Sequence, residues 1–146
     1  MTIRCEIVSQ DRTVFEGDVD IVVLPGTAGE MGILPHHAPV LTTLKYGVVK
    51  VRHSGAEQIF AVSGGVAEVQ PSIVTVLADA AENVDEIDVV RAETAKQRAV
   101  EALGQGAEKD PEILLNIEAA LRRSNLRLDA VRRYRKAGGH KPTSEE

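Results

Sequence analysis

At 146 residues, 43% hydrophobic and 27% charged, the chain has ordinary globular composition and room for one domain plus an appendage. Aromatic residues make up 3% and tryptophan is absent, so a core must be built from Val, Ile, Leu and Ala, with modest buried area per residue. The net charge of −5 is unevenly spread: residues 1–87 carry 5 basic and 12 acidic side chains, residues 88–136 carry 11 and 8, and the basic half has one aromatic, Tyr134, which disfavours nucleic acid and points to an acidic partner.

The chain opens on the alternating run Ile3 to Val8, in which Cys5 reads as a small buried hydrophobe. A lone cysteine closes no internal disulfide, which points to a reducing compartment. The start lacks the basic flank and apolar run of a signal peptide, and no stretch reaches the roughly 20 apolar residues that span a bilayer. A soluble protein, or one peripheral through a partner, is expected. Further short β-branched runs, Val19 to Leu24, Val48 to Val51, Gln58 to Val62 and Ile73 to Leu77, are expected as strands. Between them lie the turn clusters Pro25-Gly26-Thr27, Pro35-His36-His37-Ala38-Pro39, His53-Ser54-Gly55, Ser63-Gly64-Gly65 and Gln70-Pro71-Ser72. A spacing of roughly 8–12 residues predicts an all-β sandwich or barrel and leaves no room for βαβ units. Pro25 to Pro39 is expected to be a long, proline-stiffened, non-strand connection of the kind that carries function, with Glu30 set between Gly29 and Gly32. By composition alone Glu30 also reads as a solvated loop carboxylate.

The pattern changes near residue 84. After Asp85, Ala92, Ala95, Ala99 and Ala102 recur at helical steps with Leu103 closing the stripe, which predicts a closely packed helix. Gly104-Gln105-Gly106 ends it, and Asp110-Pro111 starts a second helix with a capping side chain and a proline at the first helical position, running to about Lys136. Leu114, Ile117, Leu121, Ser124, Leu128 and Val131 form a seam spaced for a partner helix, so residues 85–136 should make an α-helical hairpin after a β domain over 1–84. The tail 137–146 reads as disordered.

Catalytic patterns are missing. Gly64-Gly65 lacks the spacing of a phosphate loop, and Ser63 has no nucleophile elbow around it. His36, His37, Cys5 and His53 show no metal-ligand spacing, and no carboxylate pair is set for acid–base work. From the residues alone the chain also fits a free-standing β-sandwich adaptor whose basic hairpin binds another acidic protein. An enzyme built on the His36/His37 loop lacks a supporting constellation.

The stretch Gly29-Glu30-Met31-Gly32-Ile33-Leu34-Pro35-His36-His37-Ala38-Pro39 closely resembles the GE-x-GI-x-P-x-HAP segment of the epsilon subunits of F-type ATP synthases. Ser63-Gly64-Gly65-Val66-Ala67-Glu68-Val69 resembles their SGG-x-x-EV segment, in the same order and spacing, and the likeness extends over residues 3–136. The resemblance implies a sandwich of about ten strands on the rotor of the synthase, a non-catalytic part that touches the gamma subunit and the c-ring. It implies that Glu30 faces the c-ring and that His37 lies at or near gamma. It also implies a place on the cytoplasmic face of the bacterial membrane, peripheral through the complex.

The hairpin resembles the family's regulatory domain, which inhibits ATP hydrolysis when extended toward the catalytic head. Arg122 to Lys136 holds 7 basic residues and 1 acidic one, suited to acidic segments of the catalytic beta subunits, though such a run is also what a solvated face looks like. Ile87-Asp88-Val89-Val90-Arg91-Ala92 fits the I/L-D-x-x-R-A motif of epsilon subunits that bind ATP with the hairpin folded down. Asp88, Arg91, Ala95 and Arg98 fall within one broad helical face, and Arg123 and Arg127 lie one turn apart on the second helix. Guanidinium forks suit phosphate and a carboxylate suits a ribose or adenine donor. The resemblance thus implies ATP as a regulatory ligand held by Glu82, Asp88, Arg91, Ala92, Arg98, Arg123 and Arg127, with no required cofactor and no metal. The plainer reading of Asp88 and Arg91 is an intrahelical ion pair that helps start the helix. Gly104-Gln105-Gly106 and the polar connection through Lys109 loosen the hairpin relative to the tightest form of the pattern.

Overall fold

The computed structural model describes residues 1–106 and 110–135. The polar connection at 107–109, Lys136 and the tail 137–146 lie outside the described residues. Eight strands come first: β1 (Ile3–Val8), β2 (Thr13–Val19), β3 (Ile21–Gly26), β4 (Gly29–Ile33), β5 (Val40–His53), β6 (Ala56–Val69), β7 (Ile73–Ala78) and β8 (Ala81–Asn83). A single 3₁₀ turn, Val84–Glu86, leads to helices α1 (Val89–Gly104) and α2 (Pro111–Tyr134).

Two strands make the sandwich. β5 and β6 are 14 residues each and pair antiparallel over nearly their whole length, and β6 changes its outer partner midway. Gly65–Val69 of β6 pairs with β7, which runs parallel to β1, and β1 pairs with β2. At the other end β5 pairs with β3 and β3 with β4, while Phe60–Val62 of β6 pairs with β8. β6 therefore links the β7–β1–β2 side to the β8 side, and the described residues hold eight strands where the resemblance implies about ten.

The change of partners falls where sequence reading expects a turn. Ser63-Gly64-Gly65 lies inside β6, where Gly64 and Gly65 take φ of 79° and 126°. Those angles suit glycine, and a Cβ on Gly65 would lie 2.2 Å from the Leu77 carbonyl oxygen. The Gly-Gly step is a bend within a strand rather than the end of one. Two other expectations are also corrected. The run Val19 to Leu24 is interrupted at Asp20, whose carboxylate accepts from the Ser54 amide at 2.9 Å, so it holds the end of β2 and most of β3. Pro25 to Pro39 is not free of strand: β4 folds back on β3 through Thr27-Ala28, and Glu30 stands opposite Pro25. Pro25 lacks an amide hydrogen and the glycines lack side chains, which hid a strand that is nonetheless fully registered.

Alternate residues of these strands turn inward. Ile3, Cys5 and Ile7 of β1 meet Val22 and Leu24 of β3, Phe60 and Val62 of β6, and Val74 and Val76 of β7, all buried. Phe15 tilts against Phe60 with ring centroids 5.5 Å apart, one of few aromatic contacts in an aliphatic core. Cys5 sits at 0% exposure, as its place in the alternation predicts.

α1 ends and α2 begins on the expected residues, while α1 starts only at Val89, after the 3₁₀ turn, and α2 is described to Tyr134. Asp110 Oδ1 accepts from the amides of Glu112 and Ile113 with Pro111 in the first turn, and Gly106 takes φ of 80° just beyond α1. Ala92 and Ala99 are buried where α1 meets α2, and Ser124 is buried on α2. About 36 Å long at 1.5 Å per residue, α2 lays only its C-terminal half on the sandwich. Ala130, with Leu126, Val131 and Tyr134, packs against Ala61, Val84 and Ile87. Exposed Ile113 and Leu115 lie at its other end.

Candidate functional site

A cleft of about 390 Å³ opens between hairpin and sandwich. Glu82 of β8 forms its floor, with Arg123 and Arg127 of α2 on one wall and Arg12 of the β1–β2 turn on its edge. Because β8 pairs with β6, Glu82 is fixed opposite Ala61. Arg127 Nε donates to Glu82 Oε1 at 2.5 Å and its Nη2 to Oε2 at 3.3 Å, a two-pronged ion pair with 29% and 27% side-chain exposure. Bidentate geometry and partial burial raise it above an ordinary surface pair.

Of the seven residues implied for a nucleotide, the cleft gathers Glu82, Arg123 and Arg127. Asp88 is the N-cap of α1: its Oδ1 accepts from the Arg91 amide at 3.1 Å, so its first role is to satisfy a helix-end donor. This replaces the side-chain ion pair of the plainer reading, since among the described residues Asp88 and Arg91 form none. Arg91 and Arg98 are exposed outside the cleft lining, and Ala92 is buried between the helices. Ala95 lines the cleft, its small side chain leaving the space open.

Glu30 borders a second cleft of about 360 Å³ on the other side of α2, together with Tyr46, Arg122, Arg133 and Tyr134. There the Arg122 guanidinium lies 5.2 Å from the Tyr46 ring centre, and the Lys50 ammonium 4.8 Å from that of Tyr134. Both are cation–π contacts between hairpin and sandwich, with the cation on opposite partners. His37 is half-buried in the loop after β4, and its Nδ1–H donates to the Ala38 carbonyl at 2.7 Å. The His36 amide donates to the Pro71 carbonyl at 2.9 Å, tying this loop to the turn before β7.

Sequence reading missed Arg135. Its Nη2 donates to the carbonyls of Val84 and Ile87 at 2.5 and 2.8 Å, so the end of α2 grips the connector that leaves the sandwich. The Tyr46, Lys50 and Arg12 contributions were missed for the same reason: each depends on which strand lies under α2. Only the count of basic residues near the C-terminus signalled that this segment grips something.

Among the described residues no three His, Cys, Asp or Glu side chains gather as a metal site. The Cys5 thiol is pushed up to about 12 by burial and, second, by the charge of Glu6, which keeps it protonated and unreactive at neutral pH. No helix among the described residues is long and apolar enough to cross a membrane.

A β sandwich followed by a two-helix hairpin, with basic residues of the second helix turned onto the sandwich, defines a class. The family described as ATP synthase, Delta/Epsilon chain, beta-sandwich domain matches residues 2–84, and that described as ATP synthase, Delta/Epsilon chain, long alpha-helix domain matches residues 85–132. The chain belongs to the delta/epsilon-chain family of ATP synthases. Within it, the ATP synthase epsilon chain of Bacillus pumilus is 44% identical, over 89% of this chain and 97% of its own length. The ATP synthase epsilon chain of Nitrosococcus oceani is 44% identical, over 95% of this chain and 99% of its own. A chain in the cryo-EM structure of the Euglena gracilis mitochondrial ATP synthase, covering OSCP, F1 and c-ring, has the same fold at a TM-score of 0.74 and 23% identity, over 89% of this chain and 81% of that one.

Proposed function

We propose that this chain is a non-catalytic rotor subunit in the central stalk of an F-type ATP synthase, carrying torque between an ion-driven ring and the catalytic head. It works on the cytoplasmic face of a bacterial membrane, peripheral through the complex, with the gamma subunit and the c-ring as partners of the sandwich. Glu30 and His37 are its polar contacts, held by a registered strand and a hydrogen-bonded loop. Stiffness is the requirement of such a part, and the shared strands β5 and β6 supply it.

The hairpin is the regulatory part. Docked, it presents Arg122, Arg123 and Arg127 to the sandwich; extended, the same cations meet acidic segments of the catalytic beta subunits and restrain ATP hydrolysis. The observation that carries this reading is the manner of docking: one half of α2, joined by a small apolar cluster and a few charged contacts. An arm held in this way can release without unfolding what it leaves. ATP favours the docked state if it binds that state better, which is the only way a ligand can shift the balance. The cleft volume and its arginines suit a nucleotide.

Assembling the synthase with a chain that ends at Glu86 tests the reading. The complex should form, retaining gamma and the c-ring, and hydrolyse ATP faster than with the full chain. An unchanged rate would remove the inhibitory role, and a chain that fails to copurify with gamma would remove the rotor itself.

A further inference from the structure

The cleft under the hairpin holds a cation from the sandwich as well as those from α2. Arg12 lies on the turn between β1 and β2, which is closed by the Ser9 amide donating to the Arg12 carbonyl at 2.9 Å and by the Ser9 hydroxyl at 3.3 Å. Its backbone is therefore pinned while its side chain is exposed at the cleft edge. Arg127 is neutralised by Glu82, but among the described residues neither Arg12 nor Arg123 forms an ion pair. Asp11 and Asp79 line the same cleft without pairing with either guanidinium within 4 Å.

We infer that Arg12 is a ligand-binding residue of this cleft, which with Arg123 clasps the phosphate chain of a nucleoside triphosphate between the sandwich and the hairpin. The inference rests on the reading of the cleft as the ATP site. Its physical basis is that two guanidiniums without an ion-pair partner among the described residues stand on walls belonging to different parts of the chain. A polyphosphate between them joins the walls: each fork donates charge-assisted hydrogen bonds to the same anion, and the anion becomes a bridge. Binding and docking are then one event, so ATP closes the hairpin through Arg12 as much as through the arginines of α2. The sandwich is a wall of the site, and its first turn reads the ligand.

Calorimetry with the full chain and ATP tests this, comparing Arg12→Ala, Arg12→Lys, Arg123→Ala and Arg52→Ala. Arg52 is the control, an exposed cation paired with Glu57 and outside the cleft lining. Arg12→Ala should weaken ATP binding roughly tenfold, the loss expected for a hydrogen bond to a charged group. Arg12→Lys should recover part of it, and Arg52→Ala should bind as the parent does. Thermal unfolding without ATP should match across Arg12→Ala and the parent, while the rise in Tm on adding ATP shrinks only where Arg12 or Arg123 is lost. Parental affinity in Arg12→Ala alongside weakened binding in Arg123→Ala would overturn the role of Arg12 and leave the ATP site standing. No binding by the parent chain at millimolar ATP would overturn both.

Discussion

In the sandwich, side chains from seven of the eight strands close one buried core. The cluster that joins hairpin to sandwich has a single fully buried hairpin residue, Ala130. The remaining docking contacts are directional: Glu82 with Arg127, Arg135 with two connector carbonyls, and two cation–π pairs. Hydrophobic burial of the first kind is lost only by unfolding, whereas charged contacts in a half-wet interface can be exchanged for others on another surface. One chain thus combines a body held by apolar burial with an arm held largely by directional contacts.

That contrast is broken most severely from inside the body. Leu24→Ala should cost about 2–5 kcal/mol and lower the unfolding midpoint of sandwich and hairpin together, read by denaturant titration. Gly65→Ala should cost at least about 2 kcal/mol for its φ of 126° and the Leu77 carbonyl in its way, again as global destabilisation.

In the arm the same experiment should read differently. Arg135→Ala removes two hydrogen bonds to the connector and should shift the docking balance by about 1–2 kcal/mol, with the sandwich midpoint unchanged. A fluorophore pair spanning sandwich and α2 would report the separation. Tyr46→Leu removes the cation–π contact with Arg122 and keeps apolar bulk, so a loss of only about 0.5–1 kcal/mol in docking is expected.

The two regions also differ in how far they can be read from the residues. Alternation announced β1 and β7 to within a residue at each end, because both faces of those strands have settled environments. Capping chemistry placed the start of α2, since Asp110-Pro111 acts on its immediate neighbours. What stayed hidden depends on distance in the chain. β4 was masked by glycines whose role appears only beside β3, and β6 was read only from Gln58 to Val62 because Gly64-Gly65 bends it where its partner changes. The hairpin's existence was legible, but its docking face was not: the ion pair between Glu82 and Arg127 spans 45 residues, and the grip of Arg135 on Val84 spans 51. No local pattern encodes such pairs. The I/L-D-x-x-R-A stretch shows the converse, a motif whose Asp88 has an immediate local duty as N-cap.

The central claim is that the hairpin can leave an intact sandwich, and native-state hydrogen exchange on the full chain tests it most directly. The account predicts that amides of α2 exchange through an opening that leaves β1, β5, β6 and β7 protected, and that Arg135→Ala accelerates exchange in the helices alone. Exchange of α2 and the sandwich core at one common free energy, shifted together by that substitution, would contradict it.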